Sequence, residues 1–155
     1  MSISARPSTL DDVSRAIVEQ LQIDGRKSYS DIGRAVELSE AAVRQRVQKL
    51  IESGVMQIVA ITDPLQMGFS RQAMIGIRTA GDARAVADEL AKVGAVEYVV
   101  LTAGSFDLMV EVVCKDDSDL LDLLNGTIRN VAGVVDTEVF TYLQLKKQQY
   151  NWGTL

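Results

Sequence analysis

Residues 28–54 carry the feature that most constrains this chain, two short amphipathic helices in close succession. Ser28 begins the first helix with the spacing of a capping box. The periodicity breaks at Glu37-Leu38, where Ser39 provides a second N-cap, and Gly54 closes the second helix. The apolar positions that recur at helical spacing are Ile32, Ala35, Val36, Val43, Val47, Leu50 and Ile51. The stretch therefore predicts two packed helices joined by a tight turn.

The outer face of the second helix is rich in Arg, Gln and Lys. A short helix, a tight turn and a longer helix are typical of a helix-turn-helix, which places its second helix in the major groove of DNA. Arg pairs with guanine edges and Gln with adenine, and basic side chains neutralise phosphates. An ordinary solvated helix has the same periodicity, so the tandem arrangement carries the prediction. The residues predicted to contact DNA are Ser39, Glu40, Ala41, Arg44, Gln45, Arg46 and Lys49.

Composition excludes several classes of chemistry. The 155 residues are 47% hydrophobic and 24% charged, which suffices for one medium or two small cores. A single cysteine, Cys114, excludes an internal disulfide and any multi-cysteine metal site. The absence of histidine excludes Ser-His and Cys-His catalysis and His-based metal sites. The N-terminus lacks a signal-peptide core and no run of apolar residues could span a membrane, so we expect a soluble, cytoplasmic protein without metal or cofactor.

The net charge of −5 is unevenly distributed. Residues 1–60 contain eight basic and eight acidic side chains, which leaves 8 basic and 13 acidic side chains in the remainder. This asymmetry supports two domains with different partners. A neutral N-terminal part lacks the basic footprint of a strong non-specific binder, so we expect modest DNA affinity per copy and useful affinity from several copies together.

The second half alternates strands and helices. Strands are predicted over residues 72–79, 96–102, 106–115 and 134–146, and helices from Gly81-Asp82 and over residues 116–131. The run over residues 55–63 reads as a further strand that leaves the first domain. The predicted fold class is α+β: a helix-turn-helix (winged-helix-like) domain over residues 1–62, a linker over 63–70, and a ferredoxin-like βαββαβ domain over 71–155.

An apolar second face of this sheet is also predicted. Both helices of a ferredoxin-like unit cover one face only. The apolar residues assigned to the other face are Val99, Leu101, Met109, Val113, Phe140 and Tyr142. Such a face is normally buried against another subunit.

These residues together resemble a known family. Residues 10–56 closely resemble the N-terminal domain of the Lrp/AsnC (feast/famine) transcription regulators. The matching residues are Asp24-Gly25-Arg26, Leu38-Ser39, Val43, Arg46, Leu50 and Gly54-Val55. The second half is similar to that family's ligand-sensing domain, with Gly104 and Asp107 in its G-x-x-D hairpin motif. Glu37 stands where the family usually has Gly, so a positive φ there would cost strain.

The resemblance implies a non-enzymatic transcription regulator that binds double-stranded DNA at promoters. It also implies an amino acid or similar small molecule as effector, and a homodimer that assembles into an octamer, a tetramer of dimers. Two other classes stay open: a DNA-architectural protein without a ligand, and a siroheme decarboxylase subunit. The second has a similar two-domain layout, but histidines are expected to carry its chemistry and this chain has none.

The effector site is expected at one hairpin. Its turn over residues 102–107 offers backbone N–H groups suited to a carboxylate, and Asp107 can accept from an α-ammonium group. A hairpin glycine and a turn-capping carboxylate are the ordinary alternatives for Gly104 and Asp107. The resemblance places the pocket between subunits, near this hairpin and the start of the last strand. The predicted effector-binding residues are Thr102, Ala103, Gly104, Ser105, Asp107, Val135, Asp136 and Thr137.

Overall fold

The computed structural model describes residues 10–149. The chain divides into two compact units, with the boundary between Ala60 and Ile61, and the second unit extends to Lys146. Each unit has a hydrophobic core of its own. Within residues 10–149, none of the helices has the length and apolar character needed to cross a bilayer.

The first unit is built from three helices. They are α1 (Asp12–Ile23), α2 (Tyr29–Ala35) and α3 (Glu40–Glu52). Each begins at a side chain that accepts a hydrogen bond from the first turn, namely Asp11, Ser28 and Ser39. The buried core between the helices comprises Ile17, Leu21, Ile32, Val43 and Val47. The predicted pair of helices is therefore confirmed, although Ile51 is exposed and does not belong to the core.

The prediction of a strand over residues 55–63 is wrong. These residues have no strand hydrogen bonds, and Val55, Ile58, Val59 and Ile61 are all exposed. A β-branched run favours extended backbone, but a strand also needs a neighbour to complete its hydrogen-bond ladder. Residues 10–149 supply no such neighbour for this segment.

The second unit has the predicted strand and helix order. Its elements are β1 (Arg71–Thr79), α4 (Ala83–Leu90), β2 (Val96–Leu101), β3 (Leu108–Cys114), α5 (Asp117–Asp122) and β4 (Val134–Thr141). The sheet order is β2-β3-β1-β4, and every neighbouring pair is antiparallel. This is the ferredoxin-like arrangement, in which β1 and β3 are the central strands.

One face of the sheet and the two helices enclose the core. Alternate residues of the central strands point into it, as alternation along a strand requires. The buried residues are Ala73, Ile75, Ile77, Val86, Leu90, Leu108, Val110, Val112, Cys114, Leu120, Leu123, Leu124 and Ile128. Burial raises the pKa of the Cys114 thiol, in agreement with a small core side chain.

Two predicted elements are too long. The helix expected over residues 116–131 is α-helical only in α5, and continues as a π turn (Leu123–Thr127) and a short 3-10 turn (Ile128–Asn130). The last strand ends at Thr141 instead of residue 146. The Tyr142 N–H still donates to the Gln72 carbonyl at 2.9 Å, but residues 143–149 form no strand pairing with any other described residue.

The face of the sheet that points away from the helices is partly mispredicted. Val99 pairs with Val110 and packs on the core, and Leu101 pairs with the buried Leu108. Both therefore belong to the face that the helices cover. The reason is a β-bulge between Val96 and Tyr98, which shifts the alternation of β2. The assignment is correct for Met109, Val113, Phe140 and Tyr142, whose paired neighbours lie outside the core.

Candidate DNA-binding and effector sites

Helix α3 presents a polar face to solvent because its apolar positions are fixed in the core. Val43, Val47 and Leu50 are buried. The Ser39 hydroxyl accepts from the Ala42 N–H at 3.2 Å and so fixes where the helix begins. Six of the residues predicted to contact DNA are exposed: Ser39, Glu40, Ala41, Arg44, Gln45 and Lys49.

The charged and amide side chains of this face differ in how they are held. Arg44 Nη2 donates to Glu40 Oε1 at 2.8 Å, and its guanidinium lies 5.2 Å from the centre of the Tyr29 ring. Both contacts are on the surface and solvent-screened, so they orient the guanidinium without holding it strongly. Gln45 and Lys49 have no side-chain partner among residues 10–149, and both are available to a ligand as large as a duplex.

Arg46 differs from the rest of the set because it is bound within the unit. Its Nη1 donates to Asp11 Oδ2 at 2.8 Å and to the Ser14 hydroxyl at 3.0 Å. The hydrogen bond from Arg46 is the main reason why the pKa of Asp11 is lowered to about 2. Arg46 therefore joins α3 to the start of α1, across 35 positions of sequence. These partners at the start of α1 lie too far away in sequence for a local pattern to identify them.

The turn between α2 and α3 is unusually tight. Glu37 has φ 56° and is the one non-glycine residue with positive φ among the described residues. The Leu38 N–H donates to the Gly33 carbonyl at 2.9 Å, and a Cβ added at Gly33 would lie 2.5 Å from the Leu38 carbonyl oxygen. Glycine is thus needed at position 33, which the sequence interpretation did not notice, and Glu37 has the strained conformation anticipated for it.

The hairpin turn that contains Thr102 to Asp107 is closed by its own backbone. The Thr102 N–H donates to the Asp107 carbonyl at 2.9 Å, and the Thr102 hydroxyl donates to the Phe106 carbonyl at 2.6 Å. Ala103, Gly104 and Ser105 are exposed, and their N–H groups have no acceptor among residues 10–149. Open space lies above Gly104, where an added Cβ would meet nothing within 4 Å.

Asp107 lies half-buried at the base of this hairpin. Its Oδ2 accepts from the Thr79 N–H at 2.7 Å and from the Thr79 hydroxyl at 3.2 Å. One carboxylate oxygen therefore ties the hairpin to the end of β1, as a turn-capping carboxylate does. The other oxygen, Oδ1, accepts no hydrogen bond from any described residue. Asp107 can hold the hairpin and still offer one oxygen to a cationic group.

Arg78 brings the two predicted segments of the effector site together. Its Nε donates to the Ser105 carbonyl at 3.0 Å, and its Nη1 donates to Asp136 Oδ2 at 2.6 Å. The guanidinium also lies 5.0 Å from the centre of the Phe106 ring. Sequence reasoning missed Arg78, because the antiparallel pairing that places it opposite Asp136 depends on the strand register.

A shallow depression lies beside this contact. It has a volume of about 220 Å³ and is lined by Arg129, Val134, Val135, Asp136 and Thr137. Val135, Asp136 and Thr137 were predicted as effector-binding residues, whereas Arg129 was not. The predicted effector residues thus form two adjacent groups, the hairpin turn and the wall of this depression, joined by Arg78.

The comparisons with known proteins agree with this architecture. Residues 10–51 match the family model of the AsnC-type helix-turn-helix domain. Residues 70–155 match that of the AsnC-type C-terminal dimeric alpha+beta barrel domain. The chain belongs to the Lrp/AsnC family. It is accordingly a transcriptional regulator of the Lrp/AsnC type with a DNA-binding helix-turn-helix.

Relatives in the family cover nearly the whole chain. An uncharacterised HTH-type transcriptional regulator of Pyrococcus abyssi is 33% identical over 151 residues, which is 96% of this chain and 93% of that protein. The leucine response regulatory protein (LrpA) of Mycobacterium tuberculosis has a solved structure with TM-score 0.82, 29% identity, and coverage of 90% of this chain and 96% of that one.

More distant Lrp/AsnC structures share the fold. Escherichia coli AsnC superimposes with TM-score 0.80 at 23% identity, covering 91% of this chain and 97% of that one. A transcriptional regulator of Neisseria meningitidis, solved as a complex with L-Met, has TM-score 0.82 at 22% identity, covering 94% and 97%. The sequence-based prediction of the family and of the fold class is confirmed.

Proposed function

We propose that this Lrp/AsnC regulator binds DNA sequence-specifically through the exposed face of α3. The observation that carries the proposal is the set of Arg44, Gln45 and Lys49, which face solvent while the opposite side of the same helix is buried. Arg44 and Gln45 carry the bidentate groups that read guanine and adenine edges in the major groove. Lys49 lies one turn further along and is suited to a phosphate.

Arg46 is assigned a structural role in this proposal. Its Nη1 donates to both Asp11 and Ser14, and these hydrogen bonds tie the guanidinium to the start of α1. The base-reading role is therefore given to Arg44 and Gln45, and Arg46 keeps the reading helix in place.

Two copies of the chain would act together on DNA. The first 60 residues are electrically neutral, so a single copy gains little non-specific affinity. The open sheet face of the second unit, which contains Met109, Val113 and Phe140, supports a homodimer, and the proposed further assembly is an octamer. A two-fold dimer predicts half-sites separated by about one helical turn of DNA or a multiple of it.

The proposed effector is an amino acid or a similar small molecule. The N–H groups of the hairpin turn can receive a carboxylate, and Asp107 Oδ1 can accept from an ammonium group. The L-Met bound by the Neisseria meningitidis regulator supports this class of ligand. Effector binding would alter the assembly and with it the spacing of the α3 helices. The protein would act in the cytoplasm and have no enzymatic activity.

Fluorescence anisotropy with a duplex selected from random sequences tests the DNA-binding proposal. Arg44→Ala should cost roughly 1–3 kcal/mol on the selected duplex and much less on random DNA. Arg84→Ala, which removes the same charge from α4, is the matched control and should leave both affinities unchanged. An equal loss on both duplexes would assign Arg44 to phosphate, and ligand-independent binding to any duplex would favour the architectural alternative.

A further inference from the structure

Arg129 is placed by an irregular stretch of helix. After α5 the chain makes the π turn over Leu123–Thr127, and the Asn130 side-chain amide donates to the carbonyls of Asn125 (2.8 Å) and Gly126 (3.1 Å). Ile128 is buried in the core, so Arg129, its neighbour, is directed outward. π turns change the angular position of the residues that follow them and are frequent at functional sites.

The guanidinium of Arg129 is held by neutral groups alone. Its Nε donates to the Thr137 hydroxyl at 3.0 Å and its Nη1 donates to Asn125 Oδ1 at 2.6 Å. Arg129 makes no ion pair with any carboxylate of residues 10–149, whereas five other arginines each do: Arg34, Arg44, Arg46, Arg71 and Arg78. Arg129 is therefore oriented and its positive charge is uncompensated, which is the state suited to receiving an anion.

The rest of the depression does not neutralise this charge. Asp136 is the acidic residue in its lining. Its Oδ2 accepts from Arg78 at 2.6 Å and its Oδ1 accepts from the Thr137 N–H at 2.9 Å. The lining holds one positive and one negative side chain, and because Asp136 is paired with Arg78, Arg129 is left without a carboxylate partner among the described residues. The volume of about 220 Å³ is below the roughly 300–1,000 Å³ of sites for drug-sized ligands, and suits a small metabolite.

The depression adjoins the hairpin turn, because one guanidinium, that of Arg78, contacts both Ser105 and Asp136. A small molecule with one carboxylate at the hairpin N–H groups can therefore place a second acidic group at Arg129. We propose that the effector is acidic: a dicarboxylic amino acid or a related dicarboxylate, whose second carboxylate is bound by Arg129. The inference rests on the proposed effector site and narrows the chemical class of its ligand.

Titration calorimetry on the full chain tests this proposal with pairs of nearly isosteric ligands. L-aspartate and L-glutamate are compared with L-asparagine and L-glutamine, and succinate and 2-oxoglutarate are added as acids without an ammonium group. Aspartate or glutamate should bind about tenfold or more tightly than its own amide, or succinate or 2-oxoglutarate should bind about tenfold or more tightly than both amides. Arg129→Gln, which keeps a donor for Thr137, should lose that preference, and Arg84→Gln should keep it.

The outcomes separate this inference from the proposed function. Amides that bind as tightly as the acids, or an acid preference that survives in Arg129→Gln, would overturn the inference while leaving an amino-acid effector in place. Binding of succinate or 2-oxoglutarate alone, lost in Arg129→Gln, would support the acidic class and remove the amino acid from the proposed function. The absence of binding by all six would overturn the inference, and a thermal-shift screen of the remaining amino acids would then test the proposed function by itself. A cooperative thermal unfolding transition of Arg129→Gln without ligand, at a Tm close to that of the parent protein, verifies that the variant is folded.

Discussion

Glu37 occupies a backbone conformation that favours glycine, at the turn that sets α3 relative to α2. Its φ of 56° is in the left-handed region, where a Cβ crowds the following carbonyl. Gly33, five residues before Leu38, supplies the space that the turn needs. The chain thus has glycine at one of the two demanding positions of this turn and tolerates strain at the other.

We predict that Glu37→Gly raises the free energy of unfolding by about 1 kcal/mol, since it removes the left-handed penalty. Urea denaturation followed by circular dichroism measures the change. Gly33→Ala is the opposing control and should lower the free energy of unfolding by about 1–3 kcal/mol, because its Cβ would collide with the Leu38 carbonyl. A Glu37→Gly protein no more stable than the parent would show that the positive φ at position 37 does not strain the turn.

The contact of Asp11 with Arg46 makes the first unit sensitive to acid. The pKa of the Asp11 carboxyl is lowered from 3.8 to about 2, first by the Arg46 hydrogen bond and then by the Ser14 N–H. A depressed carboxyl pKa stabilises the fold above the unfolded pKa, and that stabilisation is lost as the pH falls towards the folded pKa. The charge of Asp11 therefore contributes at neutral pH and ceases to contribute near pH 2.

Asp11→Asn is expected to lower the Tm at pH 7, with a gap to the parent protein that narrows as the pH falls from about 4 to 2. Asn is also a good N-cap, so the substitution isolates the charge from the cap. Differential scanning calorimetry over this pH range measures the gap. A gap that is constant with pH would mean that the ion pair is not what stabilises the contact between α1 and α3.

At the scale of elements, the strands and helices that bury one face were predictable. Alternation placed β1 over residues 72–79, and the structure has Arg71–Thr79. When one face of a strand is buried, apolar and polar residues must alternate along it, so the position of the strand can be read from the sequence. The same reasoning located α2 and α3, whose apolar faces and caps agree with one another.

Other features depend on information that local patterns do not contain. The β-bulge before Tyr98 reverses the faces of Val99 and Leu101, and no turn or glycine marks it in the sequence. The segment over residues 55–63 has strand composition without a strand neighbour. In the candidate sites, the hydrogen-bond partners of Arg46 and Arg78 lie 35 and 58 positions away in the sequence. The roles of these two arginines therefore follow from the fold and not from a local pattern.

The open face of the sheet belongs to the scale of the whole molecule. Phe140 is 41% exposed there, with its ring at 6.1 Å from that of Phe106, which in turn packs over Gly76. Burial and the nearby Glu111 carboxylate raise the pKa of Tyr142, on the same face, to about 12. An aromatic and apolar face of this kind is suited to a second copy of the chain.

Phe140→Glu should therefore weaken dimerisation by about 2 kcal/mol or more, because a carboxylate would be buried in the proposed interface. Analytical ultracentrifugation measures the dissociation constant. Leu121→Glu is the matched control: Leu121 is 55% exposed on α5, on the helical side of the unit, and its replacement should leave the constant unchanged. Equal effects of both variants would exclude the open face as the interface.

The claim that the exposed face of α3 meets the duplex is tested most directly by site-specific photo-crosslinking to the selected duplex. A photoreactive side chain at Gln45 should crosslink to bases of a half-site in the selected duplex, while the same group at Asp88 of α4 should not. Excess unlabelled selected duplex should suppress the Gln45 crosslink far more effectively than random DNA. A DNA-bound protein that crosslinks from Asp88 and not from Gln45 would contradict the account.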